Sequence, residues 1–149
     1  FLKLHFDMSQ KDFYNTCWKL NKQGLIKQGP GNLSVEYEMK EGQLKADAYM
    51  RFYPDFLNER IQFMPVEFVY KAWAPWNKHL SADSLLPDIK RLLNKWYPGD
   101  FIYLEDKEQR LQLWVKVNGN RRIRMYKKSE STVKVEFMNL LKLDSVNHQ

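Results

Sequence analysis

Residues 44–53 read LKADAYMRFY and show the cleanest alternation in the chain. Apolar side chains occupy the even-numbered positions, and Lys, Asp, Arg and two Tyr occupy the odd-numbered positions. A period of two is typical of a strand with one buried face and one open face. We therefore predict a strand over 44–53 that turns Tyr49, Arg51 and Tyr53 away from the core.

The same period recurs on both sides of this segment. A strand-like run opens the chain at 1–6, and Pro65 interrupts a strand over 61–70, which favours a sheet edge or a bulge there. Asn118-Gly119 is typical of a type I′ hairpin turn, in which both central residues have positive φ. The remaining predicted strands cover 35–39, 101–105, 111–117, 122–126 and 133–137.

Two segments have helical spacing. Ser9 is a suitable N-cap and Gly24 a suitable C-terminal residue for a helix over about 10–23. A second helix is expected to begin at a Ser84 cap, because Pro87 is best tolerated in a first turn, and to stop at Pro98-Gly99.

The order of elements predicts an α+β fold, an antiparallel sheet of about seven to eight strands with two helices on one face. The segments 1–70 and 81–141 each run from a helix into antiparallel strands, which favours an internal structural repeat joined by a linker over 71–80. We interpret 1–149 as one domain, since that length suits a single hydrophobic core.

Composition excludes several classes of protein. The 149 residues are 44% hydrophobic and 28% charged, which is typical of a folded domain and not of a disordered or collagen-like chain. The single cysteine excludes an internal disulfide framework. Apolar runs are too short for a transmembrane segment. Aromatic residues, at 15%, are the compositional oddity.

The net charge of +6 is unevenly distributed. Residues 1–75 hold ten Lys/Arg and nine Asp/Glu, whereas 76–149 hold fourteen and nine, so the chain is basic mainly in its second half. Six cations lie between 116 and 128 without an acid: Lys116, Arg121, Arg122, Arg124, Lys127 and Lys128. Two interpretations stay open, an anion-attracting patch or the solvated side of a hairpin.

Catalytic and metal-binding signatures are absent from the sequence. It contains no phosphate-binding glycine loop, no HExxH, no CxxC and no GxSxG. Cys17 lies at helical spacing with Phe13 and Leu20 and is interpreted as a small buried residue. Glu36 and Glu38 share one strand face and are interpreted as solvated surface. We therefore predict no enzyme activity, no catalytic residue, no metal site and no cofactor.

The outward side chains of the predicted strands suggest a binding surface. Tyr, Trp and Arg are enriched at the energetic centres of protein interfaces. The predicted outward set is Tyr49, Arg51, Tyr53, Trp114, Lys116, Arg122, Arg124 and Tyr126. This set favours a protein or peptide partner, and cross-strand packing is the structural alternative.

A basic and aromatic sheet face also suits single-stranded nucleic acid, which is the second functional hypothesis. Asp47 and Glu136 share the predicted face and weigh against it. The sequence does not indicate an oligomeric state.

Trp73 and Trp76 flank Pro75 in the predicted linker and belong to the candidate partner-binding residues. If they are exposed, they would mark a contact site or a sugar-stacking site. If they are buried, they would lock the linker onto the body of the protein, which is the favoured interpretation.

The tandem helix-plus-hairpin order, from Ser9 to about Leu140, resembles β-lactamase-inhibitor-protein-like and small outer-membrane-lipoprotein domains. The entry Phe6-Asp7-Met8-Ser9 is similar to the F-G-x-S/T approach of such repeats, with Asp7 where glycine is usual. The resemblance implies protein binding by exposed sheet or loop residues, and a periplasmic or secreted location. The start at Phe1, with no methionine, agrees with removal of a leader or with trimming.

Overall fold

The computed structural model describes residues 2–39 and 42–141. Within these residues an antiparallel sheet of nine strands carries two helices, so the predicted α+β class is confirmed. The first half contains α1 (Gln10–Lys22), β1 (Ile26–Gln28), β2 (Val35–Met39), β3 (Ala48–Phe52), β4 (Asp55–Leu57) and β5 (Arg60–Tyr70). The second half contains α2 (Ala82–Trp96), β6 (Ile102–Asp106), β7 (Leu111–Asn118), β8 (Arg121–Lys127) and β9 (Thr132–Asn139).

The sheet is continuous through both halves, in the order β1-β2-β3-β5-β9-β8-β7-β6, with β4 paired to β5 off this path. Each half forms a meander, and the two meanders meet where β5 pairs with β9 from Phe63↔Met138 to Val69↔Thr132. The last strand of each half is therefore central, and β1 and β6 are the two outer strands.

Both helices pack on the same face of this sheet. Phe13 of α1 and Leu85, Ile89 and Leu93 of α2 are at most 1% exposed and share one core cluster with the inward residues of the strands. On β3 that inward set is Ala48, Met50 and Phe52, as their alternation predicts. The opposite face of the sheet, which we call the open face, has no helix of the described residues packed on it.

The first helix matches its predicted limits closely. The Ser9 hydroxyl accepts a hydrogen bond from the Asp12 amide at 3.0 Å, which satisfies one of the free N–H groups of the first turn. Gly24 follows the helix with φ +74°, a conformation that glycine adopts without steric cost. Neither helix is long and apolar enough to span a bilayer within the described part of the chain.

Three local predictions are wrong. Residues 2–8 form turns, with positive φ at Leu2, Lys3 and Asp7, although Leu4 and Met8 are buried; Phe1 lies outside the described residues. The N-cap of α2 is Ser81, three residues before Ser84. Pro87 therefore lies inside the helix. Because proline has no N–H, the carbonyl of Asp83 lacks its helical hydrogen bond, and Asp83 is exposed to water.

Pro65 lies in a central strand and not at an edge. β3 pairs with 66–70 of β5, and β4 pairs with 60–63, so Pro65 falls at the junction between the two. No register pair on that side of β5 requires its missing N–H. β3 is shorter than the strand predicted over 44–53, since it begins only at Ala48.

Asp88 fastens α2 to the sheet. The residue is 4% exposed, and its carboxylate accepts hydrogen bonds from the Tyr70 hydroxyl at 2.6 Å and from the Lys45 amide at 2.9 Å. Arg91 donates to the same carboxylate at 3.2 Å from the solvent side. Burial, and then the bond to Asp88, raise the pKa of Tyr70, so this hydroxyl stays a donor.

We predict that Asp88→Ala lowers the free energy of unfolding by about 3 kcal/mol, because it leaves the buried Tyr70 hydroxyl and the Lys45 amide without an acceptor. Tyr70→Phe alone should cost about 1 kcal/mol, and the double variant should cost less than the sum. Urea denaturation measures all three. Arg91→Ala is the control and should cost less than about 0.5 kcal/mol, because Arg91 is exposed. Strict additivity of the two core changes would contradict this role.

Candidate functional site

A ladder of alternating charge crosses the open face. The strand register places Lys27, Glu36, Arg51, Glu67 and Lys134 side by side on β1, β2, β3, β5 and β9. The Glu36 carboxylate receives Lys27 Nζ at 3.2 Å and Arg51 Nε at 2.9 Å. Glu36 is only 5% exposed, so its interpretation as solvated surface is wrong.

Tyr49 lies beside this ladder and is surrounded by cations. Its ring centre is 5.2 Å from the Arg51 guanidinium carbon and 5.8 and 5.9 Å from the ammonium nitrogens of Lys27 and Lys71. Lys71 in turn donates to Glu38 at 2.7 Å, and this bond raises the Lys71 pKa. We call the open-face residues of β1–β3, with Lys71, the paired half, because these charges are bonded to one another.

The other half of the open face differs in chemistry. We call it the apolar half and define it by the open-face residues of β6–β8 with Met138 of β9. Ile102, Leu104 and Val117 are 65%, 50% and 59% exposed there. The register aligns Ile102 with Val115 and Leu104 with Leu113 across β6 and β7. The full set is Ile102, Leu104, Asp106, Leu111, Leu113, Val115, Val117, Arg122, Arg124, Tyr126 and Met138. Asp106 pairs with Leu111 at the end of β6 and β7 opposite to Val117, and its carboxylate accepts hydrogen bonds from the amides of Glu108 and Gln109.

Two arginines of β8 stand within the apolar half. Arg124 reaches Glu136 at 3.8 Å, whereas Arg122 has neither an ion pair nor a hydrogen bond in the described part of the chain. The Arg122 Nε atom is buried and lacks an acceptor. Desolvation, and then repulsion from Arg124, lower the Arg122 pKa. Its guanidinium therefore carries a half-buried charge that nothing nearby offsets fully.

Tyr126 follows Arg122 and Arg124 on the open face of β8. The register sets it opposite Lys134 of β9, and the ring is half-buried. Desolvation raises the pKa of its hydroxyl, which therefore remains a donor at neutral pH. Five of the predicted outward residues thus lie on the open face. Tyr49 and Arg51 belong to the paired half, and Arg122, Arg124 and Tyr126 belong to the apolar half.

The predicted orientation of β7 is wrong. Trp114 pairs with the buried Met125 and Lys116 with the buried Ile123, so both side chains face the helices. Leu113, Val115 and Val117, expected inward, face the open side. A two-residue turn explains this orientation, because it pairs odd-numbered with even-numbered residues, so the inward Ile123 and Met125 require inward Lys116 and Trp114. The central residues of the turn are Gly119 and Asn120, not the predicted Asn118 and Gly119, and of the two only Gly119 has positive φ.

Lys116 has a structural role beneath α2. The residue is 2% exposed, and its ammonium donates to the carbonyls of Tyr97 and Gly99 at 2.8 and 3.0 Å and to the Asn94 side chain at 2.7 Å. These carbonyls follow the last turn of the helix, where cations are favoured. Burial lowers the Lys116 pKa. It is not available to a partner, and we withdraw it from the candidate site.

Trp114 and Tyr53 also contact the helix side. Trp114 packs edge-on against Tyr103, with ring centres 5.2 Å apart, and lines a cleft with Leu86 of α2. The Tyr53 hydroxyl is 2.5 Å from that of Tyr14 on α1. This bond raises the pKa of Tyr53 to about 12 and lowers that of Tyr14. Neither residue shares the open face with Tyr49.

The linker tryptophans have separate environments. Trp73 is half-buried against the core cluster, in agreement with the interpretation that it locks the linker in place. Trp76 is 86% exposed, so the contact-site interpretation applies to Trp76 alone and stays a prediction.

The six cations between 116 and 128 do not form one patch. Lys116 is buried, Arg121 stacks on Tyr97 at 4.4 Å, and Lys127 and Lys128 bond Asp83 and Glu67. Arg122 and Arg124 lie on the open face, and Lys128 reaches it where it bonds Glu67. The register scatters the remaining cations because neighbouring residues of a strand point to opposite sides of the sheet.

Cys17 of α1 is half-buried, and burial raises the pKa of its thiol to about 11. The thiol is therefore protonated at neutral pH and a weak nucleophile. The described ranges contain no group of three or more His, Cys, Asp or Glu residues that could hold a metal ion.

The sequence pattern missed a cleft of about 620 Å³ between α1 and the ends of β1 and β2. Tyr14, Trp18 and Tyr53 line it, and its size falls within the range of small-molecule sites. Lys22 Nζ already lies 4.0 Å from the Trp18 ring centre. Exposure of Tyr14 and Trp18 follows from their positions on the outer side of α1, which helical spacing alone could have indicated.

We predict that Lys116→Met destabilises the fold by about 2 kcal/mol, because it leaves the carbonyls below α2 without their charged donor. Lys95→Met is the control, since Lys95 lies in the last turn of the same helix but is exposed, and it should change stability by less than about 0.5 kcal/mol. Thermal and urea unfolding measure the difference. Equal effects of the two changes would contradict the proposal that Lys116 stabilises the carbonyls after α2.

We predict opposite effects for the two kinds of open-face arginine. Arg51→Met should cost about 2 kcal/mol because it removes a partner from the buried Glu36. Arg122→Met should stabilise by about 1 kcal/mol, since it removes a desolvated charge and adds an apolar side chain to apolar neighbours. Urea unfolding at neutral pH tests both, and a similar loss for the two variants would contradict the division of the face.

Comparisons with protein-family models, with curated proteins and with solved structures found no match for this chain. The resemblance to β-lactamase-inhibitor-protein-like and small outer-membrane-lipoprotein domains therefore stays a prediction.

Proposed function

We propose that the protein is a non-catalytic binding domain that recognises a protein or peptide on its open sheet face, through the apolar half. One observation carries the proposal: Ile102, Leu104 and Val117 each expose half or more of their surface on one face of the sheet. Scattered apolar residues are ordinary on a surface, but contiguous ones beside an arginine pair are typical of an interface.

The position of β6 supports the same proposal. β6 is an outer strand, and its second edge pairs with no strand in the described residues. A free edge presents backbone donors and acceptors to an incoming strand, and the open-face side chains beside it supply apolar contacts. The opposite outer strand, β1, is only three residues long and packs against α1. The edge next to the apolar half is therefore the better one for a peptide.

Charge pairing on the open face disfavours nucleic acid as the partner. Phosphate binding depends on cations whose counterions are released, whereas Arg51, Lys27 and Lys71 already bond glutamates of the same face. Oligonucleotide binding is nevertheless retained as an outcome of the test.

The test is selection from a random peptide library displayed on phage, followed by affinity measurements on the selected peptides. We expect peptides that bind the wild-type protein to bind Ile102→Ser and Val117→Ser at least tenfold more weakly, because each change removes apolar contact area. Leu33→Ser is the control, since Leu33 is 82% exposed but lies in the loop before β2, and it should leave affinity unchanged. Thermal unfolding confirms that each variant is folded.

Two outcomes would contradict the proposal. One is that the selected peptides bind the two face variants as tightly as the wild type. The other is that a thymidine homopolymer binds at low salt, loses affinity steeply as salt rises, and displaces the selected peptides from the open face.

A further inference from the structure

We propose that the bound segment carries a carboxylate and that Arg122 receives it. This inference rests on the proposed function and names the chemistry of the partner. Only two buried side-chain polar atoms of the described residues lack a hydrogen-bond partner, Gln62 Oε1 and Arg122 Nε. Gln62 still donates to the Asn139 carbonyl at 2.9 Å, whereas the Arg122 guanidinium finds no acceptor among the residues that the structure describes.

The neighbours of Arg122 explain why its charge is costly in the free protein. The register places Met138 on one side of Arg122 and Val117 on the other, so its flanks are apolar. Arg124, two residues along the same strand face, adds repulsion. Glu136, the anion that acts on Arg122, is the ion-pair partner of Arg124. The local charge is thus one cation in excess, and the Nε atom of Arg122 is buried away from water.

An incoming carboxylate would offset this excess. A guanidinium binds a carboxylate through two parallel hydrogen bonds, and such charge-assisted bonds are the strongest available to a side chain. Exclusion of water by apolar contacts on Val117, Met138 and Ile102 would strengthen the pair further. The desolvation of Arg122 is already present in the free protein, so complex formation does not incur that part of the cost.

The geometry favours a peptide with isolated acids and not a polyanion. A phosphodiester chain brings a charge at every nucleotide, and beyond Arg122 it would meet apolar side chains or cations that already lie beside Glu136 and Glu67, namely Arg124, Lys128 and Lys134. A segment that alternates acidic with apolar side chains matches one unpaired cation among apolar neighbours. The expected partner is therefore an acidic, apolar segment of another protein.

The test uses the peptides selected from the random library on the wild-type protein. We expect Asp and Glu to be enriched among them, and replacement of the critical acid by its amide to weaken binding about tenfold. Arg122→Gln should cause the same loss for the acidic peptide and no loss for its amide form. Lys27→Gln is the control: it removes a cation from the paired half of the same face and should leave both affinities unchanged.

The result also separates this inference from the proposed function. If peptides bind the apolar half but the acid and amide forms are equivalent, or if Arg122→Gln weakens both equally, the inference is wrong and the proposed function stands. If no selected peptide depends on Ile102 or Val117, both are wrong. Displacement of the acidic peptide by inorganic phosphate at equal concentration would show a general anion site and overturn the assignment of a peptide carboxylate.

Discussion

The pairing of β5 with β9 is the constraint on which the rest of the structure depends. It joins the last strands of two meanders through seven register pairs and makes one sheet of them. Because the sheet is continuous, both helices can cover one face, and the side chains of both halves share the other. The charge ladder also depends on this junction, since it passes from Arg51 on β3 through Glu67 to Lys134 on β9. Loss of the junction would leave two small sheets, each with a single helix to cover it.

The paired half of the open face stabilises the fold, whereas the apolar half contains groups that destabilise it. Around Tyr49 the glutamates and cations bond one another, and that surface offers a partner little that is unsatisfied. Around Arg122 a desolvated charge and exposed apolar side chains both disfavour the free state. Proteins commonly keep such locally unfavourable arrangements where function needs them. These features are the reason why the proposed binding surface is the apolar half and not the paired half.

The fold was largely predictable, because period-two alternation and helix caps depend on nearby residues. The paired positions Ala48, Met50 and Phe52, the Ser9 cap and the Gly24 terminus all follow from local chemistry. The orientation of β7 was predicted wrongly, because Leu113, Val115 and Val117 have the character of core residues but face the open side of the sheet. A two-residue hairpin pairs an odd-numbered residue with an even-numbered one, so inward Ile123 and Met125 require inward Trp114 and Lys116. That rule was available from the sequence. The burial of Lys116 beneath α2, and the lack of a partner for Arg122 in the described part of the chain, depend on tertiary packing.

The division of the open face is tested most directly by the side-chain Nε–Hε signals of arginine in a ¹H–¹⁵N NMR spectrum of the free protein. Arg51 Nε donates to Glu36 at 2.9 Å, whereas Arg122 Nε is buried with no acceptor in residues 2–39 and 42–141. We expect a downfield Hε signal for Arg51, as in a bond to a carboxylate, and an upfield signal for Arg122 that moves downfield only when an acidic peptide binds. A downfield Arg122 signal in the free protein would show an existing partner and contradict the division of the open face.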